Sequence, residues 1–223
     1  MLQIYLMKTD VFLENDRFLQ CCSLVDDMRL QKIQACKQTE DKVRSLCCGL
    51  LLQYAMKKQI GGKLPLDLKY EIGEHGKPYL ADYPQLYFNL SHSGEYVVLA
   101  FANQEVGIDI QQKRPIKEVL AKKVLSGREY MQYKGLPGEN ACNWFFRCWC
   151  AKESYSKLNG TGLLQELGKI SYEPETERIC AENDSAFCRE YQIGNDYYMN
   201  VCIYEKEVFP KEVTCLTFSH ILS

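Results

Sequence analysis

The chain has 223 residues, 46% of them hydrophobic and 25% charged. This ordinary globular composition excludes a disordered or collagen-like chain, and the length is enough to bury a core without metal or disulfide staples. With 27 Lys+Arg against 29 Asp+Glu, the balance is too even for a generic nucleic-acid binder, although a small anionic ligand needs only a local basic cluster.

Residues 1–8 are apolar over too short a stretch for a membrane span and lack a basic leader, so they predict a first strand. Two short helices are expected between 11 and 37, the second starting near Asp26-Asp27. The clearest helix is 40–60, where Val43, Leu46, Cys47, Leu50, Leu51 and Tyr54 make an apolar stripe. Thr39 is placed to cap it, Glu40 and Asp41 suit its first turn, and Gly61-Gly62 ends it. Between 26 and 63 there are eight Lys/Arg against four Asp/Glu, which reads as a solvated helix face or as an anion site.

Strands are expected at 68–72, 86–90, 95–102 and 106–110. Of these, 86–90 and 95–102 make a hairpin around Ser91-His92-Ser93-Gly94. Helices follow at 117–125, after a capping box of Ser126 with Glu129, and over the aromatic stretch 141–159. The last third predicts strands at 168–172, 187–193, 197–204 and 213–219, with an acidic loop at 173–186. Strand, long helix, then strands occurs once before about 105 and once after. This fits an α+β chain of two related lobes, 1–105 and 106–223. The twelve cysteines contain no Cys-x-x-Cys pair, which argues against a zinc ribbon and for reduced thiols in a cytoplasmic setting.

Four segments could carry chemistry. Gly76-Lys77-Pro78 is a turn that leaves a lysine projecting. Phe88-Asn89-Leu90-Ser91-His92-Ser93-Gly94 reads as a polar hairpin turn or as a phosphate cradle of hydroxyls, imidazole and N–H groups. A Ser/His nucleophile pair is disfavoured there, because neighbours on an extended chain point to opposite faces. In Val106-Gly107-Ile108-Asp109-Ile110 an aspartate is set among isoleucines. A buried carboxylate needs a partner or a metal. On the helix of 141–159, Trp149, Glu153 and Lys157 share a face, either as a core residue with a surface ion pair or as a carboxylate and an ammonium held at a rigid aromatic edge.

Each segment alone has a plain structural explanation; their order and spacing do not. Gly-Lys-Pro, Asn-Leu-Ser-His-Ser, Val-Gly-Ile-Asp and Trp-x-x-Lys-Glu-Ser-x-x-Lys-x-x-Gly-x-Gly-Leu, with Arg44-Ser45-Leu46 upstream, resemble the 4′-phosphopantetheinyl transferases of the long, two-lobed, surfactin-type class. The resemblance implies two similar, pseudo-symmetric α+β lobes, each a small antiparallel sheet on a long helix, with coenzyme A in the cleft between them. It implies transfer of the 4′-phosphopantetheine arm from coenzyme A to a serine of an apo acyl carrier or peptidyl carrier protein, releasing 3′,5′-ADP. Secondary-metabolite carriers are favoured.

Carried onto this sequence, Asp109 and Glu153 would hold Mg²⁺, with Gln111 where the family often has a second acid. Glu153, or a metal-bound water, would take the serine proton, and Lys157 would lie at the reacting phosphate. Lys77, Ser91 and His92 would meet the pyrophosphate and 3′-phosphate, and Arg44, Ser45, Arg29 and Lys32 the ADP phosphates. Residues 112–140 would help dock the carrier. A monomer suffices, with no nucleic acid and no membrane involved. Gln111 motivates one rival, a degenerate coenzyme A-binding protein without transfer. A Mg²⁺-dependent phosphohydrolase on the same carboxylates is the other.

Overall fold

The computed structural model describes residues 1–73, 76–161, 166–206 and 209–222. The first lobe runs through β1 (Gln3–Lys8), α1 (Asn15–Cys22), α2 (Asp27–Ala35), α3 (Thr39–Ile60), a small hairpin of β2 (Tyr70–Ile72) and β3 (Pro78–Leu80), then β4 (Tyr87–Ser93) and β5 (Tyr96–Ala102). The second contains β6 (Val106–Gln112), α4 (Glu118–Val124), α5 (Gly127–Gly135), α6 (Gly138–Leu158), β7 (Ser171–Glu173), β8 (Arg178–Cys180), β9 (Ser185–Ile193) and β10 (Tyr197–Ile203). The chain then returns to the first lobe with β11 (Thr214–Leu216) and α7 (Phe218–Leu222).

Beside the two-stranded β2-β3 hairpin, the described residues form two larger sheets, ordered β11-β1-β5-β4 and β6-β10-β9-β8-β7. Alternation along the strands explains their stacking. Ile4 and Leu6 of β1, Val98 and Ala100 of β5, and Val106, Ile108 and Ile110 of β6 enter one shared core with Met199 and Val201 of β10. The sheets therefore pack face to face. The long helices cover the outer faces: α3 buries Leu46, Leu50 and Leu51 against the first sheet, and α6 buries Phe145, Cys148 and Ala151 against the second. Gly107 sets how closely α6 can lie, because a Cβ there would fall 2.0 Å from the Ser154 carbonyl oxygen.

Several expectations change. The helix starts at Thr39 itself, and no side chain caps it. Ser91, His92 and Ser93 are strand, not turn. The hairpin turns at Gly94, whose φ of +53° suits glycine. The supposed loop 173–186 contains β8, which pairs with both β7 and β9. Three residues around one buried apolar centre, Ile179, are too few for alternation to show. The tail expected in the second lobe pairs instead with the first, where β11 runs parallel to β1, so that sheet is mixed rather than wholly antiparallel. Gly162-Leu163, the end of the long helix motif, lies outside the described residues. All twelve cysteines are free thiols. None of the described helices is long and apolar enough to cross a membrane.

Candidate active site

The site forms where β4, the edge of one sheet, meets β6, the edge of the other. Asp109 is 2% exposed. Its Oδ1 accepts from Lys157 Nζ at 2.7 Å and from Ser91 Oγ at 2.8 Å, and its Oδ2 accepts from Gln111 Nε2 at 2.9 Å. Lys157 also donates to Ser91 Oγ at 2.9 Å and to the Ile108 carbonyl at 3.1 Å. Both strands and α6 thus converge on one carboxylate. The period of two along β6 puts Gly107, Asp109 and Gln111 toward α6, while Ile108 and Ile110 enter the core.

Glu153 lies one turn before Lys157 on α6. Its carboxylate has no hydrogen-bond partner among the described residues. Burial, then the charge of Asp109, raises its pKa, and Lys157 works against the rise. The helix is held rigidly: Trp149 packs edge-on to Phe145, with ring centroids 5.2 Å apart. A half-buried, unpartnered carboxylate beside a second, fully engaged one is suited to take up a proton or a cation.

The basic residues divide. His92 has the opposite parity to Ser91 and lies on the α3 side of β4. Its ring is largely exposed, and desolvation of the site, then Arg44 and Lys157, lowers its pKa. Arg44 donates to the Gly94 carbonyl at 3.3 Å and to Asp41 Oδ1 at 2.6 Å, which ties α3 to the β4–β5 turn. Ser45 is half-buried beside it. Arg29, Lys32 and Lys157 all act on the buried Cys48 thiol, which their charges pull down against the upward push of burial.

Lys77 stands apart from Asp109. Its ammonium reaches Glu105 at 2.5 Å, the Leu158 carbonyl at 3.1 Å and the Val106 carbonyl at 3.4 Å, so it closes the C-terminal end of α6. A cavity of about 400 Å³ opens there, lined by Lys77, Pro78, Phe88, Glu105, Leu158 and Gly160. Asp109, Glu153 and His92 do not line it.

Two features escaped the sequence reading. Lys152 is fully buried and donates to Glu129 Oε2 at 2.5 Å and to the Val124 and Leu167 carbonyls at 2.7 and 3.0 Å. Glu129 was legible only as a capping-box residue, yet its Oε1 also accepts from the Tyr172 N–H at 2.8 Å. The hint was a lysine between Cys148, Ala151 and Tyr155 on a buried helix face. The second feature is that Asn89 and Ser93 bond the backbone of β6. In the sequence they were legible only as strand, hairpin-turn or phosphate-cradle residues.

An Mg²⁺ ion fits this donor set. The carboxylate oxygens of Asp109 and Glu153 suit a hard cation that keeps water and phosphate oxygens; Gln111, whose Nε2 is turned to Asp109, would join them through its amide oxygen after its amide turns over. Among the described residues no three His, Cys, Asp or Glu gather, because the third position is an amide.

Comparison with known proteins covers most of the chain. Residues 105–202 match the family model of the 4′-phosphopantetheinyl transferase superfamily, and residues 14–104 that of the 4′-phosphopantetheinyl transferase N-terminal region. A 4′-phosphopantetheinyl transferase of Bacillus subtilis is 30% identical over 85% of this chain and 85% of its own. The 4′-phosphopantetheinyl transferase psf-1 of Bacillus pumilus is 31% identical over 82% and 80%. The 4′-phosphopantetheinyl transferase Sfp of Bacillus subtilis (strain 168) is 29% identical over 94% and 93%.

Proposed function

The chain belongs to the 4′-phosphopantetheinyl transferases, and from that membership we propose how its own residues carry the transfer. The reaction moves 4′-phosphopantetheine from coenzyme A to a carrier-protein serine. The bond from the serine oxygen to the β-phosphorus forms, the bond to the 3′,5′-ADP oxygen breaks, and the serine proton leaves. The observation that supports our assignment is the unequal treatment of two adjacent carboxylates: among the described residues Asp109 holds three donors and Glu153 none.

Glu153, or a water held beside it, accepts the serine proton. Lys157 stays beside the reacting phosphate and stabilises charge that grows there. His92, Arg44, Ser45, Arg29 and Lys32 bind the phosphates of coenzyme A, with Ser91 orienting Lys157. Lys77 lines the neighbouring cavity and holds the end of α6. Asp109, Glu153 and Gln111 would hold Mg²⁺, which when bound offsets charge on the pyrophosphate. Carrier docking falls to 112–140, where Val119 and Met131 are 80% and 71% exposed among Lys117, Lys122, Lys123, Arg128 and Lys134. Two lobes in one chain complete the cleft, so a monomer suffices.

The test is to incubate the protein with coenzyme A, Mg²⁺ and an apo carrier protein, then weigh the carrier. Transfer adds one phosphopantetheine group, and Asp109→Asn or Glu153→Gln abolishes the gain. No gain with the wild type would favour a coenzyme A binder, and consumption of coenzyme A without carrier would favour a hydrolase. Near-wild-type transfer by either variant at saturating Mg²⁺ would remove that carboxylate from the mechanism.

A further inference from the structure

Three side chains of β4 reach across the lobe boundary to three backbone amides of β6. The Ile108 N–H donates to Asn89 Oδ1 at 3.0 Å, the Ile110 N–H to Ser91 Oγ at 3.3 Å and the Gln112 N–H to Ser93 Oγ at 3.0 Å. Both strands are sheet edges on this side. Their other edges are in ordinary ladders, β4 with β5 and β6 with β10. The two edges do not pair backbone to backbone, and side chains fill the gap instead.

The spacing matters. The acceptors recur every second residue on β4 and the donors every second residue on β6, so the strands meet in one register. His92 lies between two of the acceptors and Asp109 between two of the donors. An ordinary ladder would form from almost any sequence. Here the register depends on the identity of the β4 side chains. The apolar core between the sheets holds them together but is non-directional, so it does not choose a register.

We infer that Asn89 and Ser93 are positioning residues: they fix the register of the lobe carrying His92 and Arg44 against the lobe carrying Asp109, Glu153 and Lys157. The inference rests on the transfer reading above. Ser91 belongs to the same stitch, but it also touches Asp109 and Lys157, so only its two neighbours isolate the effect.

The experiment compares wild type with Asn89→Ala/Ser93→Ala, Ser93→Ala and Ser93→Thr, by amide hydrogen exchange at Ile108 and Gln112 and by kcat and KM for coenzyme A. The double variant should exchange faster at both amides and lose about ten- to hundred-fold in kcat, the penalty of a misplacement of up to about 1 Å between reacting groups. Ser93→Thr keeps the hydroxyl acceptor and should restore both readouts. If the double variant does not fold, Ser93→Ala against Ser93→Thr decides in the same way, since Ser93 is only half-buried. Faster exchange with unchanged kcat would overturn the positioning role, and unchanged exchange would overturn the stitch itself. A wild type that transfers nothing would fail the transfer reading instead, whatever the exchange rates show.

Discussion

Lys157 Nζ lies 2.7 Å from Asp109 Oδ1, although the two residues are 48 positions apart. The contact fastens the C-terminal half of α6 to β6 and leaves Glu153, one turn earlier, without a partner among the described residues. Two carboxylates in one site thus have different surroundings. Separated environments are a common way to give two acids different roles.

The first consequence concerns pH. Glu153 is held above its ordinary value of 4.5 by burial first and by Asp109 second. The native state therefore binds its proton more tightly than the unfolded chain does. Stability is lost as pH rises from the ordinary value through the raised one, and stays lost above it. Glu153→Gln removes that loss. The variant should melt at a higher temperature than wild type at about pH 7, with the gap closing below the ordinary carboxylate range near pH 4. A gap independent of pH would mean that repulsion and burial at Glu153 are not its source.

A second expectation concerns Lys152. Its side chain is fully buried, and that of its partner Glu129 is 5% exposed. Removing one member strands the other as a buried charge, so Lys152→Met should cost about 3–5 kcal/mol in urea unfolding. Adding Glu129→Gln removes the stranded charge while keeping an acceptor for the Tyr172 N–H. The double variant should therefore recover part of the loss. A double variant less stable than the single would contradict this account.

How much of this was visible in the sequence depends on range. The periodicity of α3 and α6 is local, and so were the helices. The order of the Gly-Lys-Pro, Ser-His-Ser, Gly-Ile-Asp and Lys-Glu-Ser segments was enough for the family. Ser91 and Ser93 read as a turn or a phosphate cradle, because polar residues usually face solvent or a ligand. Here they face the amides of a second sheet edge, and nothing nearby in sequence announces that edge. Lys152 finds Glu129 23 residues away, and β11 pairs with the first strand of the chain. Such pairings are set by tertiary packing, which local patterns do not encode.

A third expectation concerns His92, lowered in pKa by desolvation and by two nearby cations. As a hydrogen-bond donor it binds phosphate in ground and transition states alike. His92→Ala should therefore raise KM for coenzyme A about tenfold, the loss of one hydrogen bond to a charged group, with a smaller fall in kcat. Steady-state kinetics with the carrier saturating would show the split. A fall in kcat with KM unchanged would place His92 at the reacting atoms instead.

The last expectation concerns Gln111. Its Nε2 donates to Asp109 Oδ2 at 2.9 Å, which shows that both side chains lie on the α6 face of β6. Gln111→Glu replaces that donor with a second carboxylate. Without metal, the bond is lost and like charges meet, so the variant should melt at a lower temperature than wild type. With Mg²⁺, a further anionic oxygen ligand favours binding, and the divalent charge outweighs the repulsion between the carboxylates. Mg²⁺ should therefore raise the melting temperature of the variant more than that of wild type, and the half-saturating Mg²⁺ for transfer should fall. Thermal melts across an Mg²⁺ series read the first effect without any turnover. A variant that melts lower and gains nothing from Mg²⁺ would show that Gln111 serves only to orient Asp109, and the metal would then rest on Asp109 and Glu153 alone.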